Sequence, residues 1–460
     1  MSEAAARSTA PAGGGIPPGL PDSLASPLRA WLPRQRWFAG KGLPVTGIDL
    51  DAVTPLLPGA ALLHVLLRAH QPPADEGPGE RYQLLIGADA SVPPYLAPAV
   101  IGHVDRGPLA GLTVYDALQD PRRAAVLLER LRTPGPLGDL RFHRGPHGRV
   151  PPGLPARPLR AEQSNSSVIY GDRLIAKFFR RVRPGTNPDL ELPLALARAG
   201  CTRVPAPVAW FETYESEGAG EPTTLGILQP YVRGATDGWE LALDRLASGT
   251  DFTAEARELG RATAEVHTAL AGSLPTVTLT RPRTEELAAA MTRRLDATAR
   301  QVPALLPYAP ALRGAFADLA ASPGPVRRAQ RVHGDLHLGQ FLRTQSGGWQ
   351  LIDFEGEPSR PLAERRMPHP PHRDIAGMLR SFDYAARSHR PYDPSWARAC
   401  RAAYCEGYAA ATGRDPRADP PLLRAYETDK AIYESLYEAR HRPTWLEVPL
   451  AALSELAAAD

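Results

Sequence analysis

The stretch Arg331–Glu357, RVHGDLHLGQFLRTQSGGWQLIDFEGE, leaves this chain few ways to fold. An apolar approach leads to His333, Gly334, Asp335, Leu336 and His337. Gln340 follows five residues after Asp335, and a β-like run, Trp349 to Ile352, ends on Asp353. The pattern predicts two adjacent turns, each delivering a carboxylate. Phosphoryl transfer uses such a pair, one Asp orienting the attacking hydroxyl and accepting its proton, the other holding the Mg²⁺ that bridges nucleotide phosphates. Gln340 stands where a second metal-facing amide is expected. Read singly, His333 and Asp335 would be a helix cap or a core brace, and the surrounding chain has to decide.

A second group of residues fits the same chemistry. Leu159 to Tyr170 and Asp172 to Phe179 predict strands joined by tight turns, with Gln163-Ser164-Asn165-Ser166-Ser167 as the first turn. Small residues there let backbone N–H groups and hydroxyls approach ATP phosphates closely. Lys177 interrupts the apolar strand Ile175–Phe179, and a buried ammonium needs an anion. The anions expected are nucleotide phosphates and a helix carboxylate, and Glu191, 14 residues on at the start of a helix, suits the second role. Leu225 to Val232 predicts a strand interrupted at Pro230, with Gln229 to Val232, including Tyr231, placed where an adenine-binding hinge would lie. The phosphate-binding pattern G-x-x-x-x-G-K-[ST] occurs nowhere, which argues against the other large class of nucleotide-binding fold.

The bulk numbers bound the remaining possibilities. A chain of 460 residues exceeds one hydrophobic core. Fifty-three Lys and Arg against 50 Asp and Glu give a net charge of +3, too small a field to recruit nucleic acid or an anionic membrane. Cys201, Cys400 and Cys405 form neither a disulfide framework nor a zinc pattern and suit a reducing cytoplasm. No apolar run reaches 18 residues and no basic segment precedes a hydrophobic one at the start, so neither a transmembrane helix nor a signal peptide is expected.

In chain order, residues 1–21 are expected to be a disordered tail. A module over 22–104 follows, with a short helix from Ser23 and hairpin strands at Ile48–Val53, Ala61–Leu67 and Tyr82–Ile86. Trp37 and Phe38, set among arginines, are expected to pack a helix onto a sheet. Residues 105–232 form the next unit. Helical periodicity dominates 233–460, with helices at Ala254–Leu270, Glu285–Thr298 and Leu312–Ala321. His267 is expected to pack, and Asp374 to cap a helix or brace the catalytic loop. Near the end, Tyr426, Lys430, Tyr433, Glu434 and Tyr437 recur at helical steps. A tyrosine stripe serves either core packing or a sugar site, and Glu427, Glu438, Arg440 and Arg442 beside it point towards a sugar.

HGDLHLGQ followed by LIDFE resembles the catalytic and metal loops of the aminoglycoside-phosphotransferase-like kinases. With WLPRQRWFAGKG, AEQSNSSVIY, KFFRRVRPGTNPDLEL and AYETDKAIYESLYEARHRPTWLEVPL, the chain is similar to actinobacterial maltokinases over nearly its whole length. That resemblance implies an α+β, protein-kinase-like bilobal fold with an added N-terminal cap module and a mainly helical C-terminal lobe. It implies a cytoplasmic transferase that moves the ATP γ-phosphate to the anomeric hydroxyl of maltose, with trehalose synthase and a maltosyltransferase as functional neighbours in glycogen-like α-glucan synthesis. Carried over residue by residue, the catalytic residues are Asp335, the base toward the C1 hydroxyl, and His337, near the reacting hydroxyl, and Gln340 and Asp353 hold Mg²⁺. Lys177, aided by Glu191, and Ser164, Asn165, Ser166 and Ser167 take the ATP phosphates, Gln229 and Tyr231 the adenine, and Tyr426, Tyr437 and Arg440 the disaccharide. Gln340 departs from the Asn of the wider group. The alternatives are a kinase of this fold for glucosamine or an aminoglycoside, or a silent nucleotide-binding module.

Overall fold

In the computed structural model, residues 16–72, 79–146, 148–159, 164–214, 220–322, 326–358 and 360–458 are described. Most of the expected tail and the start of the serine turn, including Gln163, lie outside them. The chain divides into two compact units, Met1–Leu190 with Pro207–Tyr231, and Glu191–Ala206 with Val232–Asp460.

The first unit opens with helix α1 (Leu20–Trp31), two residues earlier than the predicted tail allowed, because Pro21 sits at a position where a missing N–H costs nothing. Its apolar side chains at Leu20, Leu24, Leu28 and Trp31 fall on one face and are buried. They cover a five-stranded sheet of β1 (Gly47–Leu57), β2 (Leu62–His70), β3 (Glu80–Asp89), β4 (Val100–His103) and β5 (Thr113–Asp116), in the order β1-β2-β3-β5-β4. Trp37 and Phe38 pack as expected, Phe38 stacking on Tyr82 with ring centroids 5.2 Å apart. Burying side chains of this size contributes about 1.5–3 kcal/mol each.

After α2 (Pro121–Arg132) comes a seven-stranded sheet of β6 (Gly135–Leu137), β7 (Leu140–Arg144), β8 (Ala156–Pro158), β9 (Ser166–Tyr170), β10 (Leu174–Phe178), β11 (Ala209–Thr213) and β12 (Thr223–Pro230). Its order is β6-β7-β11-β12-β10-β9-β8. Along β10, Leu174, Ala176 and Phe178 are buried while Ile175 and Lys177 point to the other face and are half-buried, the period of two that a strand imposes. Pro230 ends β12 rather than breaking it, paired in register with Leu174. The chain then enters α3 (Pro188–Arg198), where the Asn187 side chain accepts the Asp189 N–H at 2.9 Å and Pro188 opens the helix.

The second unit is mainly helical. Its elements run β13 (Thr236–Asp237), α4 (Gly238–Ala247), α5 (Thr253–Ser273), β14 (Val277–Leu279), α6 (Arg281–Gln301), α7 (Ala309–Ala321), β15 (Arg327–Ala329), β16 (Phe341–Arg343) and β17 (Trp349–Leu351). There follow α8 (Leu362–Arg365), α9 (His372–Ser388), α10 (Pro394–Thr412), α11 (Pro420–His441) and α12 (Glu447–Ala457). One core cluster joins α5, α9 and α10, and another joins α6, α7 and α11. Helices α5 and α10 approach most closely at Gly260 and Gly407, where a Cβ on either would strike the other helix's backbone carbonyl, at Tyr404 or Arg257. Among the described residues no helix is long and apolar enough to cross a membrane.

Candidate active site

The hairpin β16–β17 sets the geometry. Phe341 pairs with Leu351 and Arg343 with Trp349, and the Ile352 N–H then bonds the Gln340 carbonyl at 3.0 Å. This register carries Asp353 back beside Gln340, whose amide Nε2 lies 3.1 Å from Asp353 Oδ2. Asp353 adopts φ 67, a conformation uncommon outside glycine and tolerated best by Asp and Asn. The ring of His333 ties this turn to the loop before it, donating from Nε2 to the Ile352 carbonyl at 2.9 Å and packing on Phe354.

Asp374, in the first turn of α9, braces that loop from behind. Its Oδ2 accepts from His333 N at 2.8 Å and from His267 Nε2 at 2.9 Å, and its Oδ1 accepts from Gly334 N at 2.8 Å. His267 is buried and takes its second bond, at 3.1 Å, from the Tyr408 hydroxyl, so it positions Asp374 and binds nothing else. Of the two expectations for Asp374 the brace holds and the cap does not, since α9 opens at His372 and the carboxylate gives both oxygens to the His333 and Gly334 N–H groups and to His267 instead of to the helix's own N–H groups.

Asp335 follows directly, and its Oδ1 accepts from Lys430 Nζ at 2.8 Å. The same ammonium reaches Glu357 Oε1 at 3.2 Å. Glu357 is bonded in turn by Arg360 and by Arg373 Nη2, the latter at 3.2 Å. Burial pushes the Glu357 carboxyl up, but Lys430, Arg373 and Arg360 together hold it far below the usual range. Burial likewise pulls the Lys430 ammonium down, and Asp335 and Glu357 more than offset that and leave it above its ordinary value. The cation beside Asp335 is therefore permanent. Sequence reasoning placed Lys430 on the sugar face and missed its bond to Asp335, which depends on packing between segments 95 residues apart.

His337 is neutral, because burial lowers its pKa and Asp335 only partly restores it. Its Nδ1 accepts the Gly339 N–H at 3.1 Å, which leaves the ring proton on Nε2, 3.2 Å from the Gln340 amide. Turned by half a rotation, that amide would accept the His337 ring proton through its oxygen, which would also be open to a cation. An oxygen of Glu355 lies within 4.8 Å of one of Asp353. Gln340, Asp353 and Glu355 thus offer the hard oxygen donors that Mg²⁺ requires.

A cleft of about 480 Å³ in the second unit is lined by Asp335, His337 and Lys430 together with Trp239, Tyr384, Tyr433, Glu434, Tyr437, Glu438, Arg442 and Trp445. Of the three residues expected to hold a disaccharide, Tyr437 lines it. Tyr426 does not, since it packs into the core beneath α11. Arg440 does not either, because its guanidinium bonds Gln301 on α6. The tyrosine stripe is therefore divided, with its first ring in the core and the later ones on the cleft.

Of the residues expected to take the ATP phosphates, Lys177 and the serine segment belong to the first unit and Glu191 to the second. Lys177 Nζ bonds Asp189 Oδ2 at 3.0 Å, whereas Glu191, the expected partner, accepts from Arg331 Nη1 at 2.7 Å. The two acids sit two positions apart at the helix start, and a turn of about 100° per residue sends them to different neighbours. The register pairs Lys177 with Ser167 and Phe178 with Ser166, so the end of the serine segment lies directly across from the lysine strand. Ser166 and Ser167 belong to β9 rather than to a turn, and the Ser166 hydroxyl is taken by Arg180 Nε at 2.7 Å. Ser164 and Asn165 remain as the turn. Gln229 lies within β12 opposite Ile175, and the Tyr231 N–H is already given to the Arg173 carbonyl at 2.9 Å.

In the second unit an Asp on one loop, a carboxylate and an amide on the next and an aromatic cleft beside them, and in the first unit a lysine strand, are the parts that a kinase-like phosphotransferase uses. The sequence profile described as the phosphotransferase enzyme family matches residues 155–417, and that described as the maltokinase N-terminal cap domain matches residues 31–120. The first match covers more than half of the chain, which belongs to the phosphotransferase enzyme family. It is an α+β kinase with an N-terminal cap, and such phosphotransferases use ATP with Mg²⁺. The chain is similar to the glucosamine kinase of Streptacidiphilus jiangxiensis, 33% identical over 332 residues that span 65% of this chain and 73% of the relative. It is also similar to that of Mycolicibacterium smegmatis, 29% identical over 327 residues, 65% and 79% of the two. Among solved structures, a glucosamine kinase in complex with glucosamine, ADP and inorganic phosphate superimposes with a TM-score of 0.66 at 25% identity, covering 96% of this chain and all of that one.

Proposed function

We propose that this kinase transfers the γ-phosphate of ATP to the anomeric hydroxyl of maltose, giving maltose 1-phosphate and ADP. The observation that carries the reading is the partnering of the cleft carboxylates. Asp335 is bonded to Lys430, Glu434 to Arg380 Nη2 at 2.9 Å and Glu438 to Arg442 Nη2 at 2.6 Å. Asp237 caps α4 through the Glu240 N–H. An ammonium sugar needs a carboxylate without a cation; Asp335, Glu434 and Glu438 each have one and suit neutral hydroxyls, and Asp237 is engaged by a backbone N–H instead. Five aromatic rings, Trp239, Tyr384, Tyr433, Tyr437 and Trp445, offer faces for the C–H surfaces of two pyranose rings. The match to a maltokinase cap supports the same acceptor.

In this reading Asp335 orients the C1 hydroxyl and accepts its proton as the O–P bond forms, and Lys430 keeps the carboxylate fixed throughout. His337, held neutral, donates from Nε2 and does not compete for the proton. Gln340 and Asp353, with Glu355 near, would hold Mg²⁺, which would supply neutralisation of the phosphate charge. Lys177 and the Ser164–Asn165 turn are assigned to the phosphates, and the Gln229–Tyr231 segment to adenine. Positioning and charge neutralisation then supply most of the rate. We further propose 22–104 as the cap, 105–232 as the nucleotide lobe and 233–460 as the acceptor lobe. The setting proposed is cytoplasmic, which three free cysteines suit, with trehalose synthase supplying maltose and a maltosyltransferase consuming the product.

The second reading, glucosamine as acceptor, is favoured by the names of the relatives. Mg²⁺-dependent assays with maltose and glucosamine, with the phosphorylated position identified, separate the two. Asp335→Asn and Asp353→Asn are each expected to lower kcat by at least 1,000-fold, a loss of about 4 kcal/mol in transition-state stabilisation. Near-normal turnover in either variant overturns the assignment of roles.

A further inference from the structure

Glu434 stands out among the residues lining the cleft. It lies one helical turn beyond Lys430 on α11, on the same wall as Tyr433 and Tyr437. Both of its bonds to Arg380, from Nε at 3.0 Å and Nη2 at 2.9 Å, end on the same oxygen, Oε2. Among the described residues no donor is bonded to Oε1. The side chain is 12% exposed, and the cleft is what it faces.

The carboxylate is also fixed. Arg380 is fully buried beneath the Tyr384 ring, 5.6 Å from its centroid, and is held on its other side by Asp383 Oδ2 at 3.3 Å. Arg401 holds that same Asp383 oxygen at 2.9 Å and Glu427 Oε1 at 2.6 Å, so the chain of alternating charges runs back into the protein. A group positioned so firmly loses little freedom on binding a ligand.

A mere counter-ion for Arg380 would use both oxygens in the bidentate geometry that guanidinium and carboxylate favour. Here one oxygen is committed to Arg380 and the other is left without a protein donor among the described residues at the cleft wall, open to a hydroxyl of a bound ligand. Consistent with that, burial pushes the Glu434 carboxyl up, and Arg380 and Lys430 offset only part of the effect.

We propose that Glu434 is a specificity-determining residue whose Oε1 accepts hydrogen bonds from hydroxyls of the acceptor sugar, on a carboxylate that Arg380 holds in place. The proposal rests on the sugar-acceptor reading above. Because the residue contacts the acceptor and not the nucleotide, Glu434→Gln raises the KM for maltose by about 10- to 100-fold, the range for a hydrogen bond to a charged group. The KM for ATP stays unchanged.

The deciding experiment pairs the wild-type enzyme and Glu434→Gln with maltose and with a series of monodeoxymaltoses, in a cycle of enzyme and substrate changes. For the deoxy analogue lacking the hydroxyl bonded to Oε1, wild type loses about as much in kcat/KM as the variant loses on maltose, and the variant shows little further loss. Additive losses for every analogue, or a variant with unchanged maltose KM, overturn the proposal. If Glu434→Gln proves poorly folded by thermal melting, the wild-type deoxy series alone still decides, since indifference to every deletion away from C1 leaves Oε1 without a ligand. A wild-type enzyme active on glucosamine and silent on maltose overturns the maltose reading instead, and the same cycle with deoxyglucosamines then judges Glu434 separately.

Discussion

Lys430 is the residue on which the catalytic loop depends most directly. Its ammonium is shared between the base Asp335 and the buried Glu357, and it lies over the Tyr433 ring at 4.8 Å. Removing one partner from a buried charge cluster leaves the others uncompensated, typically at about 3–5 kcal/mol. Lys430→Met is therefore expected to lower the urea midpoint and to cut kcat at least tenfold while leaving the KM for ATP unchanged. Lys430→Arg keeps the charge and should recover much of the stability. Initial rates combined with urea melts check both, and a methionine variant as active as wild type would show that Asp335 needs no cation beside it. Glu357 has Arg360 and Arg373 as well, so the bond to Asp335 is the one that cannot be replaced.

At the scale of elements, α9 and α11 deliver the site. Helix α11 buries Tyr426, Ile432 and Ser435 and turns Lys430, Tyr433, Glu434 and Tyr437 towards the cleft. Helix α9 brings Asp374 to the backbone of the catalytic loop and comes so close that Gly377 meets the Leu336 carbonyl, where an added Cβ would collide with it. Leu336 follows the base, so the glycine sets how near α9 can lie. Gly377→Ala is expected to push the loop away, lowering kcat by tenfold or more and destabilising the fold by about 1–3 kcal/mol, with the KM for ATP little changed. Rates and melting temperatures measure this, and a variant melting at the wild-type temperature with full kcat would mean that the loop has room to move.

At the scale of the whole molecule, buried histidines make stability depend on pH. Burial pushes His64, which faces Gln83, Phe178 and Phe211 with Arg81 nearby, down to about 4. It does the same to His372, which faces the Pro416 carbonyl, Asp419 and Arg327. An imidazole kept neutral in the fold binds its proton more weakly there than in the unfolded chain. Stability is thus intact above about pH 6.5, declines as the pH falls, and the loss is complete below the folded value, at about 3 kcal/mol for each group. Urea titrations between pH 7.5 and 4.5 should show that decline before the depressed carboxylates Glu357 and Asp374 add theirs. A midpoint that stays level over this range would mean that these rings are not held neutral.

What the sequence determined by itself is the chemistry that is local in the chain. The His333–Asp335 turn, the hairpin that returns Asp353 beside Gln340, and the lysine strand across from the serines follow from spacings of a few residues, set by strand register and turn length. Asp374 was legible only in part, as an acid near a helix start in need of N–H donors, and the donors it found belong to the His333–Gly334 loop and not to its own helix. Only the tertiary structure decided the pairings that cross long stretches of chain, Lys430 with Asp335, Glu434 with Arg380 and Glu191 with Arg331. It also decided which rings of the tyrosine stripe face the cleft, placing Tyr437 there and Tyr426 in the core. Periodicity shows that residues share a helix face, but the rotation of that helix against its neighbours is set by packing, and packing is a property of every side chain in the core at once.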